Sequence, residues 1–96
     1  MITVGRIVHV TLNPGMVEQI NTVRKASSTT GPGFFGNAPI KDDVLAAMIV
    51  RVFPGNGTTV NLQVFTDGNH AVWFTSVPFA ENPTPGYWHW PQRSPE

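Results

Sequence analysis

The sequence predicts a small, mainly β domain: an SH3-like or partly open β-barrel of about five strands, with one short helix after the first strand. Three observations carry this prediction. Short runs of alternating apolar and polar residues follow one another, turn signals separate them, and one stretch with helical spacing stands near the N-terminus. Short strands joined by tight turns favour a strongly bent sheet. The 96 residues fit a single domain, residues 1–96.

The first two predicted elements are a strand and a helix. Residues 3–12 form the strand, whose imperfect alternation indicates that both of its faces are partly covered. Asn13 is a good N-cap, and Pro14 is tolerated at the first helical position. Helical spacing then predicts a short helix over residues 14–25, with apolar positions at Met16, Val17, Ile20 and Val23.

The rest of the sequence, from residue 26, predicts three strands in a meander between two long loops, followed by a short last strand. Residues 26–43 are rich in Gly, Ser, Thr and Pro and are expected to form a loop. Asp67-Gly68 is a strong hairpin signal. A second proline-rich loop precedes the last strand, and residues 91–96 form a C-terminal tail. The predicted strands lie at residues 44–53, 58–65, 71–77 and 87–90.

The composition excludes several classes of protein. The chain has six basic and six acidic residues and a formal net charge of +0, and the basic residues are scattered, which argues against binding of extended nucleic acid. There are no cysteines, so disulfides and thiolate sites are excluded. No apolar run reaches the length of a membrane span, and a soluble, intracellular protein is expected. The low charge favours self-association, so a homo-oligomer is predicted.

No catalytic residue, metal site or cofactor is predicted. The histidines, His9, His70 and His89, stand far apart, without carboxylates at ligand spacing. Asp42-Asp43 is interpreted as a solvated loop end or a cap. No serine lies in the sequence context of a nucleophile elbow.

The loop contains GPGFFG at residues 31–36, which matches G-x-G-x-x-G. The dinucleotide fingerprint requires a strand directly before it and a helix opening from it, and neither is expected here. Phe34 and Phe35 have two interpretations. They fold back onto the core, or they form a lid over a ligand.

The meander offers a candidate binding face. If Val60, Leu62 and Val64 point into the core, their neighbours point outward. Amides read the edges of bases, arginine pairs with phosphate and tryptophan stacks, so this face suits a small nucleotide-type ligand. The alternative is an ordinary polar face that meets water. The candidate residues on the face are Arg51, Asn61, Gln63, Trp73 and Thr75.

The stretch YWHWPQR, residues 87–93, adds aromatic residues near the C-terminus. In a strand, Trp88 and Trp90 share one side and are predicted to close the core. Tyr87 and His89 share the other side and are predicted to be presented for binding, beside Arg93.

Several segments in order resemble a family of small phage- and prophage-encoded proteins that end in a W-H-W-P motif. The segments are VGRIVHV, AMIVRVF, VNLQVFTDGN, WFTSV and PGYWHWP, covering residues 4–10 and 47–91. Val10, Phe53 and Tyr87 depart from the residues usual in that family. The family has no established catalytic motif, so the resemblance implies a phage origin and no reaction.

Two functions from different classes follow. The first is a non-enzymatic binding protein, a counter-defence sponge that sequesters a nucleotide-type signal in the host bacterial cytoplasm. The second is a virion structural protein, either a head decoration or a tail accessory. A third interpretation is an inhibitor of a host protein that acts through an exposed strand edge.

Overall fold

The computed structural model describes residues 2–30, 36–55 and 57–91, and its regular structure consists of five strands and one helix. The elements are β1 (Ile7–Thr11), α1 (Pro14–Thr30), β2 (Val44–Val52), β3 (Val60–Phe65), β4 (Ala71–Val77) and β5 (Trp88–His89). All strand pairs are antiparallel, in the order β4-β3-β2-β1-β5. The predicted class, a mainly β, partly open barrel with one helix after the first strand, is confirmed.

The N-terminus of α1 follows the sequence signals, but its C-terminus does not. The Asn13 side-chain oxygen accepts a 2.8 Å hydrogen bond from the Met16 amide, which satisfies one of the unpaired donors of the first turn. The helix continues to Thr30, five residues beyond the predicted end and into the segment predicted as a loop. Ser and Thr lower helix propensity only moderately, and after Gly15 in the first turn no Gly or Pro occurs until Gly31.

The sheet bends toward a barrel because the chain after β4 returns to its opposite edge. The Trp88 amide donates to the Pro78 carbonyl at 2.9 Å, and the Ala80 amide donates to the Trp88 carbonyl at 2.9 Å. These bonds place residues 78–80 beside β5, on the side away from β1. The two edges of the sheet are therefore linked by a short continuous segment.

The core lies between the concave side of the sheet and α1. Ile20 of the helix is fully buried, and Trp88 is the largest fully buried side chain. The Trp88 indole N–H donates to the Thr58 carbonyl at 2.8 Å, and its ring lies 4.7 Å from Phe79 and 5.1 Å from Trp90. The predicted core position of Trp88 is confirmed. The other core residues are Val8, Val10, Leu12, Ala47, Ile49, Val60, Leu62, Val64, Val72, Phe74 and Val77.

Within the described residues, no helix has the length and apolar character needed to cross a membrane.

Candidate functional site

The side of the sheet away from α1 is largely open between β1 and β4. We call this side the outer face. It is continuous across four strands, because Ile7 pairs with Met48, Met48 with Gln63, and Gln63 with Trp73. Strand alternation adds further residues on both sides of this row. The outer face is defined by Ile7, His9, Val44, Ala46, Met48, Arg51, Gln63, Phe65, Ala71, Trp73 and Thr75.

Besides Val44, which is 46% exposed, three larger apolar side chains of the outer face are substantially exposed. Trp73 is 50% exposed, Ile7 45% and Phe65 42%. They stand on three different strands, so the exposed apolar surface extends over the width of the sheet. Gln63, which is partly buried, lies beside Trp73 in the register. An apolar surface of this kind on a small protein is typical of an interaction site.

A bulge in β2 determines where Arg51 lies. Ile49 pairs with Leu62 of β3. Arg51, two residues further on, pairs with Asn61, only one residue from the previous partner. The extra residue is Val50, and it changes the alternation so that Arg51 leaves the core side that Ile49 occupies. Arg51 is exposed, with its guanidinium carbon 5.4 Å from the centre of the Phe53 ring.

Asn61 was predicted to be exposed on the candidate binding face, but it is buried. The residue is only 7% exposed. Its side-chain oxygen accepts hydrogen bonds from the Ser76 amide at 2.8 Å and the Thr75 hydroxyl at 3.0 Å. Ser76 has a positive φ of 54° at a second register shift, between β3 and β4. Asn61 therefore stabilises this irregular stretch of β4.

The prediction that His89 is presented for binding is also wrong. His89 is 2% exposed and pairs with His9 across β1 and β5, with ring centroids 5.7 Å apart and nearly perpendicular. Its Nδ1 is buried without a hydrogen-bond partner, as is the hydroxyl of Thr11. Burial, with a smaller contribution from His9, lowers the pKa of His89. The side chain that β5 places beside His9 is therefore buried, whereas side chains on the outer face of β1 to β4 are exposed or partly exposed.

Tyr87 is exposed but lies apart from the other candidates. It directly precedes β5, at the end of the strand order opposite to β4, and its carbonyl accepts a 3.3 Å hydrogen bond from the Thr11 amide. The structure thus brings together four of the seven predicted ligand residues. The accessible members on the outer face are Arg51, Gln63, Trp73 and Thr75. Asn61 and His89 lie on the same side of the sheet, as the partners of Arg51 and His9, but they are buried, and Tyr87 lies apart.

A small cleft lies away from the outer-face row, between residues 36–43 and the turn after β3. Its volume is about 160 Å³, below the range of typical ligand pockets. Both of its carboxylates accept hydrogen bonds, Asp67 from the Asn37 side chain at 2.8 Å and Asp43 from the Ile40 amide at 3.0 Å. Both carboxylates are therefore already hydrogen-bonded within the chain, and the cleft is a contact between two loops. Phe34 and Phe35, the predicted lid, lie outside the described residues.

Sequence reasoning missed the apolar character of the outer face. The signal is present in β2, VLAAMIVRV, where both alternating sets of residues are mainly apolar. A strand with one solvated face usually alternates apolar and polar residues, and a continuous apolar run is typical of a strand covered on both sides.

Among the described residues, no group of three or more histidines and carboxylates is arranged to hold a metal ion. Comparisons with protein-family models, with curated proteins and with solved structures gave no match.

Proposed function

We propose that this chain is a non-enzymatic binding protein that acts through its outer face. The observation that carries the proposal is the exposure of Ile7, Phe65 and Trp73 together on one continuous, uncovered sheet surface. Exposed apolar side chains are ordinary when they are scattered singly. Here they are collected on one side of four paired strands.

The shape and composition of the outer face support a protein surface as its partner. Small-molecule sites are concave and enclose most of their ligand, whereas this face is an open sheet surface. The centres of protein interfaces are enriched in aromatic residues, Met and Arg and depleted in Lys, Asp and Glu. The outer face contains Phe65, Trp73, Met48 and Arg51 and has no lysine or carboxylate among its defining residues.

A nucleotide-type ligand is the second candidate, and one arrangement favours it. Trp73 stands beside Gln63 in the register, and Arg51 and Thr75 lie on the same face. An exposed indole ring stacks on a base, an amide hydrogen-bonds the edge of that base, and a guanidinium pairs with phosphate. Because Asn61 and His89 are buried, the outer face offers a nucleotide fewer polar contacts than the sequence predicted.

The resemblance to phage-encoded proteins supplies two settings for such a protein. A counter-defence protein acts in the host cytoplasm, by sequestering a signal or by binding a host protein. A virion component uses the same type of surface to attach to neighbouring subunits. Proteomics of purified particles separates the two settings, since only a virion component is abundant there.

The test compares the wild type with Trp73→Lys and Ile40→Lys. Ile40 is 65% exposed and lines the cleft beside the turn after β3 instead of belonging to a strand of the outer face, so its substitution is a control for added charge. Proteins captured from infected cells are identified by mass spectrometry, purified, and titrated calorimetrically against each variant. Trp73→Lys is expected to weaken binding roughly tenfold or more, and Ile40→Lys to leave it unchanged. Equal binding by all three proteins would refute the use of the outer face.

The nucleotide candidate is tested in parallel by thermal shift. Cyclic dinucleotides and ADP-ribose derivatives are added to the wild type and to Arg51→Ala. Stabilisation of the wild type that is lost in Arg51→Ala supports the nucleotide ligand. No stabilisation by any of these compounds removes this candidate and leaves the protein surface.

A further inference from the structure

The central strand β2 is apolar on both sides of the sheet. Ala47 and Ile49 are buried in the core, whereas Val44, Ala46 and Met48 alternate with them toward the outer face. Val44 and Ala46 are exposed in the single chain. An antiparallel sheet with one solvated side normally carries polar residues there. The pattern of β2 is that of a strand covered on both sides.

The outer face is also almost without charge. Of the described residues that define it, Arg51 alone is charged at pH 7 when His9 is neutral. A partner must therefore offer an apolar surface with little charge, because buried unpaired charges oppose association. The outer face itself meets this requirement, so a second copy of the chain can cover it without a concentration of like charges.

The size of the outer face matches a modest dimer. Four strands about 4.8 Å apart, with about six residues each rising about 3.4 Å, give a flat area on the order of 400 Å². Side-chain relief adds to this flat projection, whereas the bend of the sheet makes the outer face convex and reduces the contact, so two copies together bury at most roughly 1,000 Å², near the lower limit of specific interfaces. Sheets packed face to face lie about 10 Å apart, which side chains of this size fill.

We propose that two copies of this chain associate through their outer faces, forming a β-sandwich with one sheet from each copy. The inference rests on the proposed use of the outer face and specifies its occupant. The interface centres on the row of Ile7, Met48, Gln63 and Trp73, and α1 of each copy remains on the outside of the pair. An interface of this size is in the range of weak, transient complexes.

Sedimentation velocity over a wide concentration series tests the proposal on the full chain. The wild type is expected to change from monomer to dimer between low and high micromolar concentration. Ile7→Lys places a charge in the interface and is expected to raise the dissociation constant roughly tenfold to hundredfold. Ile40→Lys is the matched control, since it makes the same substitution at an exposed position off the outer face. It is expected to dimerise like the wild type.

Urea unfolding of each variant at low concentration, where all are monomeric, shows whether the substitution leaves the fold intact. Met48→Lys provides a second variant at the centre of the row if Ile7→Lys unfolds. A wild type that stays monomeric at several hundred micromolar overturns the proposal. The proposal is also overturned if Ile7→Lys and Met48→Lys fold and dimerise as tightly as the wild type. A monomeric wild type that still binds another protein through Trp73 overturns self-association alone and leaves the proposed function standing.

A second readout follows Trp73 directly. Its half-exposed indole becomes covered in the dimer, whereas Trp88 is already fully buried and the partly buried Trp90, which packs on Trp88, contributes a constant background. Iodide quenching of tryptophan fluorescence is therefore expected to fall as the wild-type concentration rises, and to stay constant for Ile7→Lys. Quenching that does not change while sedimentation shows a dimer would place the interface elsewhere and overturn the proposed face.

Discussion

Replacement of Asn61 by alanine is expected to destabilise the fold strongly, although sequence reasoning placed this residue on a binding surface. The side-chain oxygen of Asn61 accepts two hydrogen bonds, from the Ser76 amide and the Thr75 hydroxyl, and the residue is 7% exposed. The substitution removes the acceptor. It leaves the Ser76 amide without this partner at a residue with φ of 54°.

The magnitude follows from these two bonds. Each contributes about 1 kcal/mol net, and because the bond from the Ser76 amide is partly buried, an unsatisfied donor there costs toward the lower end of about 1–3 kcal/mol. The free energy of unfolding is therefore expected to fall by about 2–3 kcal/mol. For a domain of this size, such a loss lowers the melting temperature by roughly 8–24 °C.

Urea unfolding monitored by circular dichroism measures this change. Gln63→Ala is the control, since Gln63 is two residues away on the same strand and is only partly buried. It is expected to lower the free energy of unfolding by less than about 1 kcal/mol. If Asn61→Ala were as stable as Gln63→Ala, the assignment of Asn61 to the support of β4 would be refuted.

Three further predictions concern the core, the buried histidine and a loop contact. Trp88→Phe loses the indole hydrogen bond to Thr58 and is expected to cost about 1–3 kcal/mol in urea unfolding, whereas Trp88→Ala costs about 3–5 kcal/mol. The pKa of His89 is lowered in the folded state. Below the ordinary histidine pKa of about 6.5, which applies to the unfolded chain, the unfolded chain therefore binds more protons than the folded chain. The free energy of unfolding therefore carries no penalty from His89 above that value, and it decreases as the pH falls through the folded-state pKa of His89. A pH series of unfolding free energies should show this slope, and His89→Leu should flatten it. Gly36→Ala places a Cβ against the Asp67 carbonyl and the Gly68 backbone. The Asp67 carbonyl accepts a 2.8 Å hydrogen bond from the Asn37 amide, so hydrogen exchange should show faster exchange of that amide.

Local patterns in the sequence predicted most of the fold. Asn13-Pro14 predicted the start of α1, since capping depends on residues within one turn. Alternation in β3 predicted that Val60, Leu62 and Val64 face the core, and all three are fully buried. The end of α1 was placed too early, because a run of Ser and Thr only weakens a helix and no strong breaker follows until Gly31.

The candidate site was only partly predictable. Alternation placed Gln63 and Trp73 on the outer face, but two register shifts alter the alternation near Arg51 and Thr75. Whether a given outward side chain is free or used internally depends on what lies across the strand. Asn61 is used by β4, and no spacing rule within β3 reveals that contact.

By itself the sequence determined the strands, the helix start and the core side of the meander, because these depend on residues close together along the chain. Only the tertiary structure decided that His89 is buried against β1, that residues 78–80 return to β5, and that the outer face stays open. These outcomes depend on contacts between residues far apart in sequence. The two apolar sides of β2 were visible in the sequence, but only the packing of α1 decided which side is covered and which stays open.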